Sequence, residues 1–154
     1  MQASCQCGTI TFTTPTPAPV DLYFCHCLSC RHQSSSAFGC SAIFPFFTLP
    51  AHLTPHLGCW SRPTHSGSIV DCYFCRECGS RVMHVPREVQ EAGRGTVSVK
   101  GGCIDGLDWG KAKKHIWCKR AVVPIPEDVQ RWEEEPEEVD ESAKVVEEGL
   151  GRGK

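Results

Sequence analysis

The chain has 154 residues and a formal net charge of −2, enough for one domain core and short of two. No run approaches the roughly 18 apolar residues of a membrane span, and no dense Lys/Arg stripe of the nucleic-acid-binding kind is present. Twelve cysteines are the anomaly, and they point either to disulfides or to metal.

The N-terminal residues MQASCQCGTITF carry no basic segment followed by an apolar run, so the chain reads as cytoplasmic rather than secreted. In a reducing compartment, tightly clustered cysteines are metal ligands in preference to disulfides. Residues 8–14, GTITFTT, alternate and are β-branched, which predicts a strand. TPTPAP breaks it, and VDLYF leads in extended form to a cysteine triplet. Residues 28–36 are short, polar and serine-rich, at most one helical turn. Residues 37–47 are apolar and aromatic and predict a buried strand ended by Pro45.

Residues 57–62 and 68–74 predict two further strands joined by the turn-prone RPTHSGS. Short strands are expected at 80–85, 96–100 and 115–123. No long amphipathic helix appears before residue 126, so the expected class is mainly β with few short helices, in a domain over residues 1–126. Residues 127–154 differ in character. They hold 11 of the 18 acids and 4 of the 16 basic residues, a net of −7, which leaves the body at +5. A mildly basic body suits a small anionic ligand. The extension predicts a short helix anchored by Val129 and Trp132 and interrupted by Pro136, then a disordered acidic tail.

Three cysteine groups carry the chemistry: Cys5/Cys7, Cys25/Cys27/Cys30 and Cys75/Cys78. In C-x-C both side chains project to one side of an extended backbone, and in C-x-x-C followed by Gly79 the turn brings both sulfurs to one ion. Cys5, Cys7, Cys75 and Cys78 make a complete four-thiolate site that would staple the N-terminus to the middle of the chain. The triplet is left with three ligands, the arrangement of a catalytic zinc with an open position. Spacing alone leaves this partition open, because Cys40, Cys72, Cys103, His26 or His32 could close the second site. Thiolates favour zinc, two ions per chain, over magnesium or calcium, with an iron–sulfur cluster as the rival.

The runs CQCGTITF, CHCLSCR and YFCRECGS, in this order, resemble the glutathione-dependent formaldehyde-activating enzyme family, which also includes centromere protein V. The likeness extends to GGCIDG at 101–106, to HIW at 115–117 and to the region of Trp132, roughly residues 3–135. It implies several small coiled β-sheets around zinc, the β-tent type. It also implies a structural zinc on Cys5, Cys7, Cys75 and Cys78 and a catalytic one on Cys25, Cys27 and Cys30. The implied reaction is addition of glutathione to formaldehyde or its reversal, formally a carbon–sulfur lyase. One departure is Ser35, which stands where relatives usually have glycine.

Around the triplet, His26 should point away from the ligands, into packing. His32 is the candidate proton shuttle, and Arg31 the candidate partner of a substrate carboxylate. Asp105 reads as a turn residue, and Phe38, Phe44, Phe46 and Phe47 as core or pocket wall. Cys40, Cys59, Cys72, Cys103 and Cys118 read as small buried hydrophobes. The expected partner is a small thiol or carbonyl compound, with glutathione as a candidate, and neither nucleic acid nor membrane is expected. The alternatives are a zinc module that binds a protein, and a lyase or isomerase acting on a larger metabolite without glutathione.

Overall fold

A computed structural model describes residues 1–136, and the expected disordered tail falls outside them. The fold is mainly β. Strands β1 (Gln2–Ser4) and β2 (Thr11–Thr13) form a two-stranded antiparallel sheet. The other strands are β3 (Asp21–Cys25), β4 (Gly39–Pro45), β5 (Leu57–Pro63), β6 (Ile69–Cys75), β7 (Arg81–Pro86), β8 (Thr96–Lys100), β9 (Lys114–Ile116) and β10 (Gln130–Arg131). They join in one ladder of order β10-β9-β3-β4-β8-β7-β6-β5. β9 pairs in parallel with both β3 and β10, and the other pairings are antiparallel.

The period of two along the central strands decides what each face does. Leu22, Ala42, Phe44, Met83, Val97 and Val99 point to one side, where Ala3 and Phe12 of the small sheet and Ile10 just before β2 join them in one core. Phe44 and Val99 are fully buried there. Truncating such a phenylalanine typically costs about 3–5 kcal/mol. Tyr23, Ser41, Ser98 and His84 point to the other side, where a cavity opens.

Several local expectations need correction. Residues 28–34 form a helix, α1 (Leu28–Ser34), rather than a single turn, because Cys27 caps it and Ser35 ends it in the left-handed conformation at φ +50. The strand expected over 8–14 shortens to β2, since Cys5 to Ile10 makes a tight turn through Gly8 at φ +80. The strand expected over 115–123 stops at Ile116, where Trp117 takes φ +60 and leads into a 3-10 turn, Cys118–Arg120. No helix forms at 127–136. Gln130 and Arg131 instead add a strand beside β9, because the Gln130 and Trp132 amides donate to the Lys113 and His115 carbonyls at 2.8 and 3.0 Å. Strand β1, a 3-10 segment at Ala51–His56 and helix α2 (Arg87–Ala92) were not anticipated.

Candidate metal centres

The first centre is assembled from two turns of similar construction. After β1, Gly8 N–H donates to Cys5 O at 3.0 Å; after β6, Gly79 N–H donates to Cys75 O at 2.9 Å, with Gly79 at φ +76. Both turns need the left-handed conformation that glycine adopts without strain. Gln6 N–H donates to Ser80 Oγ at 3.1 Å and ties one turn to the other. The result places the Sγ atoms of Cys5, Cys7, Cys75 and Cys78 all within 4.8 Å of one another. Two of the edges measure 3.5 Å (Cys5–Cys7) and 3.8 Å (Cys7–Cys75). A tetrahedron with Zn–S bonds near 2.3 Å has S···S edges of about 3.8 Å, so the donor set fits zinc. Hydrogen bonding to Ser80 holds the Cys78 thiol down to about 5, so its thiolate is favoured before metal arrives.

The second centre sits where β3 meets α1. Cys25 ends β3, Cys27 caps the helix and Cys30 lies in its first turn, and their three Sγ atoms again lie within 4.8 Å of one another. Cys30 N–H donates to Cys27 Sγ at 3.4 Å, so one ligand also serves the helix start. Gly39, paired with Cys25 across β3 and β4, admits the helix: a Cβ there would come to 3.1 Å from Cys30 Cβ. Hydrogen bonds from Cys25 and Cys30 hold the Cys27 thiol down to about 2, while the same sharing pushes Cys25 up. This sharing favours the thiolate at Cys27 and keeps the protons on Cys25 and Cys30, from which a thiophilic cation would displace them. Three convergent sulfurs fit zinc with one position to spare.

The residues that could have closed this site do not reach it. Among the described residues the group contains Cys25, Cys27 and Cys30 alone. His26 turns to the opposite face of β3, as its position between two ligands predicts, and its Nε2 lies 2.9 Å from His115 Nδ1. Cys40 packs against Gly101, Cys72 Sγ faces Val70 O, and Cys103 Sγ faces Arg81 O. His32 is exposed. With Arg31 it borders a separate shallow groove beside Ser35, Ser36 and Val122, away from the cavity at the triplet. The two side chains chosen as catalytic candidates therefore stand apart from the place where the three sulfurs open. Of the five extra cysteines, Cys72 is buried, Cys40, Cys103 and Cys118 are half-buried, and Cys59 is exposed, contrary to expectation, because β5 is an edge strand.

The cavity at the triplet measures about 500 Å³. Its floor is the polar face of the sheet, with Tyr23, Ser41, Ser98, Lys100 and His84, and its walls include Arg62, His65, Trp117 and Arg120. Lys100 is buried, and its Nζ donates to Ser41 Oγ at 3.1 Å. His84 is held neutral, with its pKa well below the usual histidine value, by burial and then by Lys100, Arg81 and Arg62. The cavity is therefore cationic, with Glu135 the one acidic side chain among its described lining residues. Of these floor and wall residues only Trp117 was singled out from the sequence, within HIW at 115–117, and without a role in the site. The available signal was the alternation T-V-S-V-K in β8, which reads equally well as a solvent-facing strand.

Trp117 forms its wall under backbone constraint. Its φ of +60 is unusual for a bulky residue. The conformation is fixed by the chain after β10: Trp117 and Cys118 amides donate to the Glu134 and Trp132 carbonyls, both at 3.0 Å. Arg120 and Lys119 stand over its ring at 5.8 and 5.5 Å.

A sequence model of the glutathione-dependent formaldehyde-activating enzymes matches residues 1–120, which include both cysteine centres. The chain belongs to this family. No curated protein matches it. Family membership connects it with enzymes of glutathione and formaldehyde, and both of its cysteine clusters are compatible with zinc. No helix among the described residues is long and apolar enough to cross a membrane.

Proposed function

We propose that the chain is a two-zinc, cytoplasmic carbon–sulfur lyase that joins glutathione to a small carbonyl compound, or releases it from the adduct, at the Cys25/Cys27/Cys30 centre. On this reading Cys5, Cys7, Cys75 and Cys78 hold a structural zinc. The supporting observation is the contrast between the two centres: four convergent sulfurs in one, and in the other three that open onto a 500 Å³ cavity. When bound at the triplet, zinc supplies a Lewis-acid position that favours the thiolate form of an incoming thiol.

The reaction forms a C–S bond while the carbonyl π bond becomes C–OH, and the thiol's proton ends on that oxygen. The lyase direction reverses each change. What the chain contributes is position and charge. Cys25, Cys27 and Cys30 fix the reacting end of the cavity, Gly39 lets their helix sit against the sheet, and Trp117 walls the opening. Arg62, Arg120 and Lys100 supply the positive field that draws in a tripeptide with two carboxylates.

NMR measurement of exchange between free glutathione and its hydroxymethyl adduct tests this directly. The zinc-loaded protein should accelerate exchange, and Cys27→Ser should remove at least 100-fold of that acceleration. Absence of acceleration by protein carrying two zinc ions would contradict the proposal.

A further inference from the structure

The sheet behind the triplet is polar where a protein of this size ordinarily buries apolar side chains. Lys100 and Ser98 are two residues apart on β8 and share its cavity face, and Ser41 stands directly across from Lys100 on β4. Lys100 is 8 % exposed, and one of its three ammonium donors is used on Ser41 Oγ. Among the described residues no carboxylate pairs with it. Ser98 Oγ is buried with no hydrogen-bond partner at all. Its neighbour across β7 and β8 is the neutral His84.

Lys100 Nζ has one hydrogen bond, to Ser41 Oγ, and beyond it only the field of the Cys30 and Cys25 sulfurs offsets its burial, so this ammonium and the orphaned Ser98 hydroxyl are costly to keep unless something fills the space between them. An acceptor with negative charge spread over two oxygens would answer both at once. We propose that Lys100, Ser98 and Ser41 form a seat for a carboxylate of the substrate on the floor of the cavity. The proposal rests on the thiol-site reading above only in expecting that one bearer of the carboxylate is the thiol. The other possible bearer is the carbonyl partner, which would then be an oxo acid.

The test is calorimetric titration of the zinc-loaded protein with glutathione, glutathione diethyl ester and glyoxylate, using wild type, Lys100→Met and Ser98→Ala. A charge-assisted hydrogen bond of this kind predicts that wild type binds glutathione roughly 10- to 100-fold more tightly than the diester. In Lys100→Met that preference should shrink several-fold, to what the Arg62 and Arg120 charges alone supply. Ser98→Ala should lose several-fold in glutathione affinity while its melting temperature stays level or rises, since the hydroxyl has no partner in the free protein. If glutathione and its diester bind alike but glyoxylate binds and is lost in Lys100→Met, the seat holds the carbonyl partner's carboxylate. If neither glutathione nor its diester binds wild type, the thiol-site reading fails, and glyoxylate binding decides the seat by itself. Variants that bind all three ligands as wild type does would overturn the proposal. So would Lys100→Met losing zinc while Ser98→Ala binds normally, because Lys100 would then be a counter-charge for the thiolates.

Discussion

The Trp117 amide donates to the Glu134 carbonyl at 3.0 Å, so the last described turn of the chain holds a wall of the cavity. The family match ends at residue 120, yet the site continues to Glu135, which also lines the cavity. Truncation after residue 126 removes β10 and the backbone partners of Trp117, Cys118 and Lys113. That should destabilise the protein by about 2–4 kcal/mol, from several hydrogen bonds of roughly 1 kcal/mol each, and weaken thiol binding. Truncation after residue 136, which keeps every one of these backbone partners, is the comparison. Urea denaturation and thiol titration of the two truncations check this.

Ser35 ends α1 at φ +50, a conformation that costs a side-chain-bearing residue roughly 1–2 kcal/mol and glycine nothing. The backbone at this position therefore favours glycine on conformational grounds. Ser35→Gly should raise stability by about 0.5–1 kcal/mol after the entropy cost of glycine in the unfolded chain. An unchanged or lower urea midpoint would contradict the assignment of strain.

The two cysteine centres should respond differently to substitution. Cys75→Ser removes a buried ligand that ties β6 to the N-terminal turn, and should cost one zinc together with several kcal/mol of stability. Cys27→Ser should also cost one zinc, but with a clearly smaller loss of stability, since serine is itself a preferred helix cap and α1 keeps its start. Metal analysis beside thermal denaturation separates the cases. Equal destabilisation by both would contradict the division of roles.

His84 gives stability a pH dependence. Burial first, and then the Lys100, Arg81 and Arg62 charges, hold its folded-state pKa well below the unfolded value near 6.5. Arg81 Nη1 stands 3.4 Å from its Nε2, which as the acceptor of a hydrogen bond stays unprotonated. The unfolded chain therefore takes up a proton as pH falls through 6.5 while the folded chain does not, and stability declines below that point. Above it the contribution is constant. His84→Gln should flatten the fall in urea midpoint between pH 7.5 and 6.0, a range compared at equal zinc content. An identical slope in the variant would show that other groups carry it.

How much of this was legible in the chain depended on whether the signal was local. The cysteine groups are local: C-x-C, C-x-x-C and the glycine after them specify turn geometry within a few residues, so both sulfur clusters could be read from spacing. Their partition into four and three was a matter of exclusion. It required knowing that Cys40, Cys72 and Cys103 are held elsewhere by contacts with distant segments. The strand over 57–62 was legible because its apolar pattern and its partner lie within one hairpin. Residues 115–123 were misread because the left-handed Trp117 is imposed by carbonyls from residues 132–134, which no local pattern announces.

The same reasoning explains the catalytic candidates. His32 and Arg31 adjoin Cys30 in sequence, but α1 carries them to a separate groove. Lys100 is 70 residues further along and reaches the cavity only because β8 pairs with β4. A strand whose polar face covers a cavity has the same sequence pattern as one whose polar face meets water. Only the tertiary fold separates them.

The central claim is that the second zinc keeps a position for a thiol. X-ray absorption at the zinc edge, on protein purified without thiol or chelator and then with glutathione added, tests it most directly. Four ligands at one ion and three at the other predict an average of about 3.5 sulfurs per zinc beforehand, rising to about 4 with glutathione. Four sulfurs per zinc from the start, unmoved by glutathione, would contradict the account.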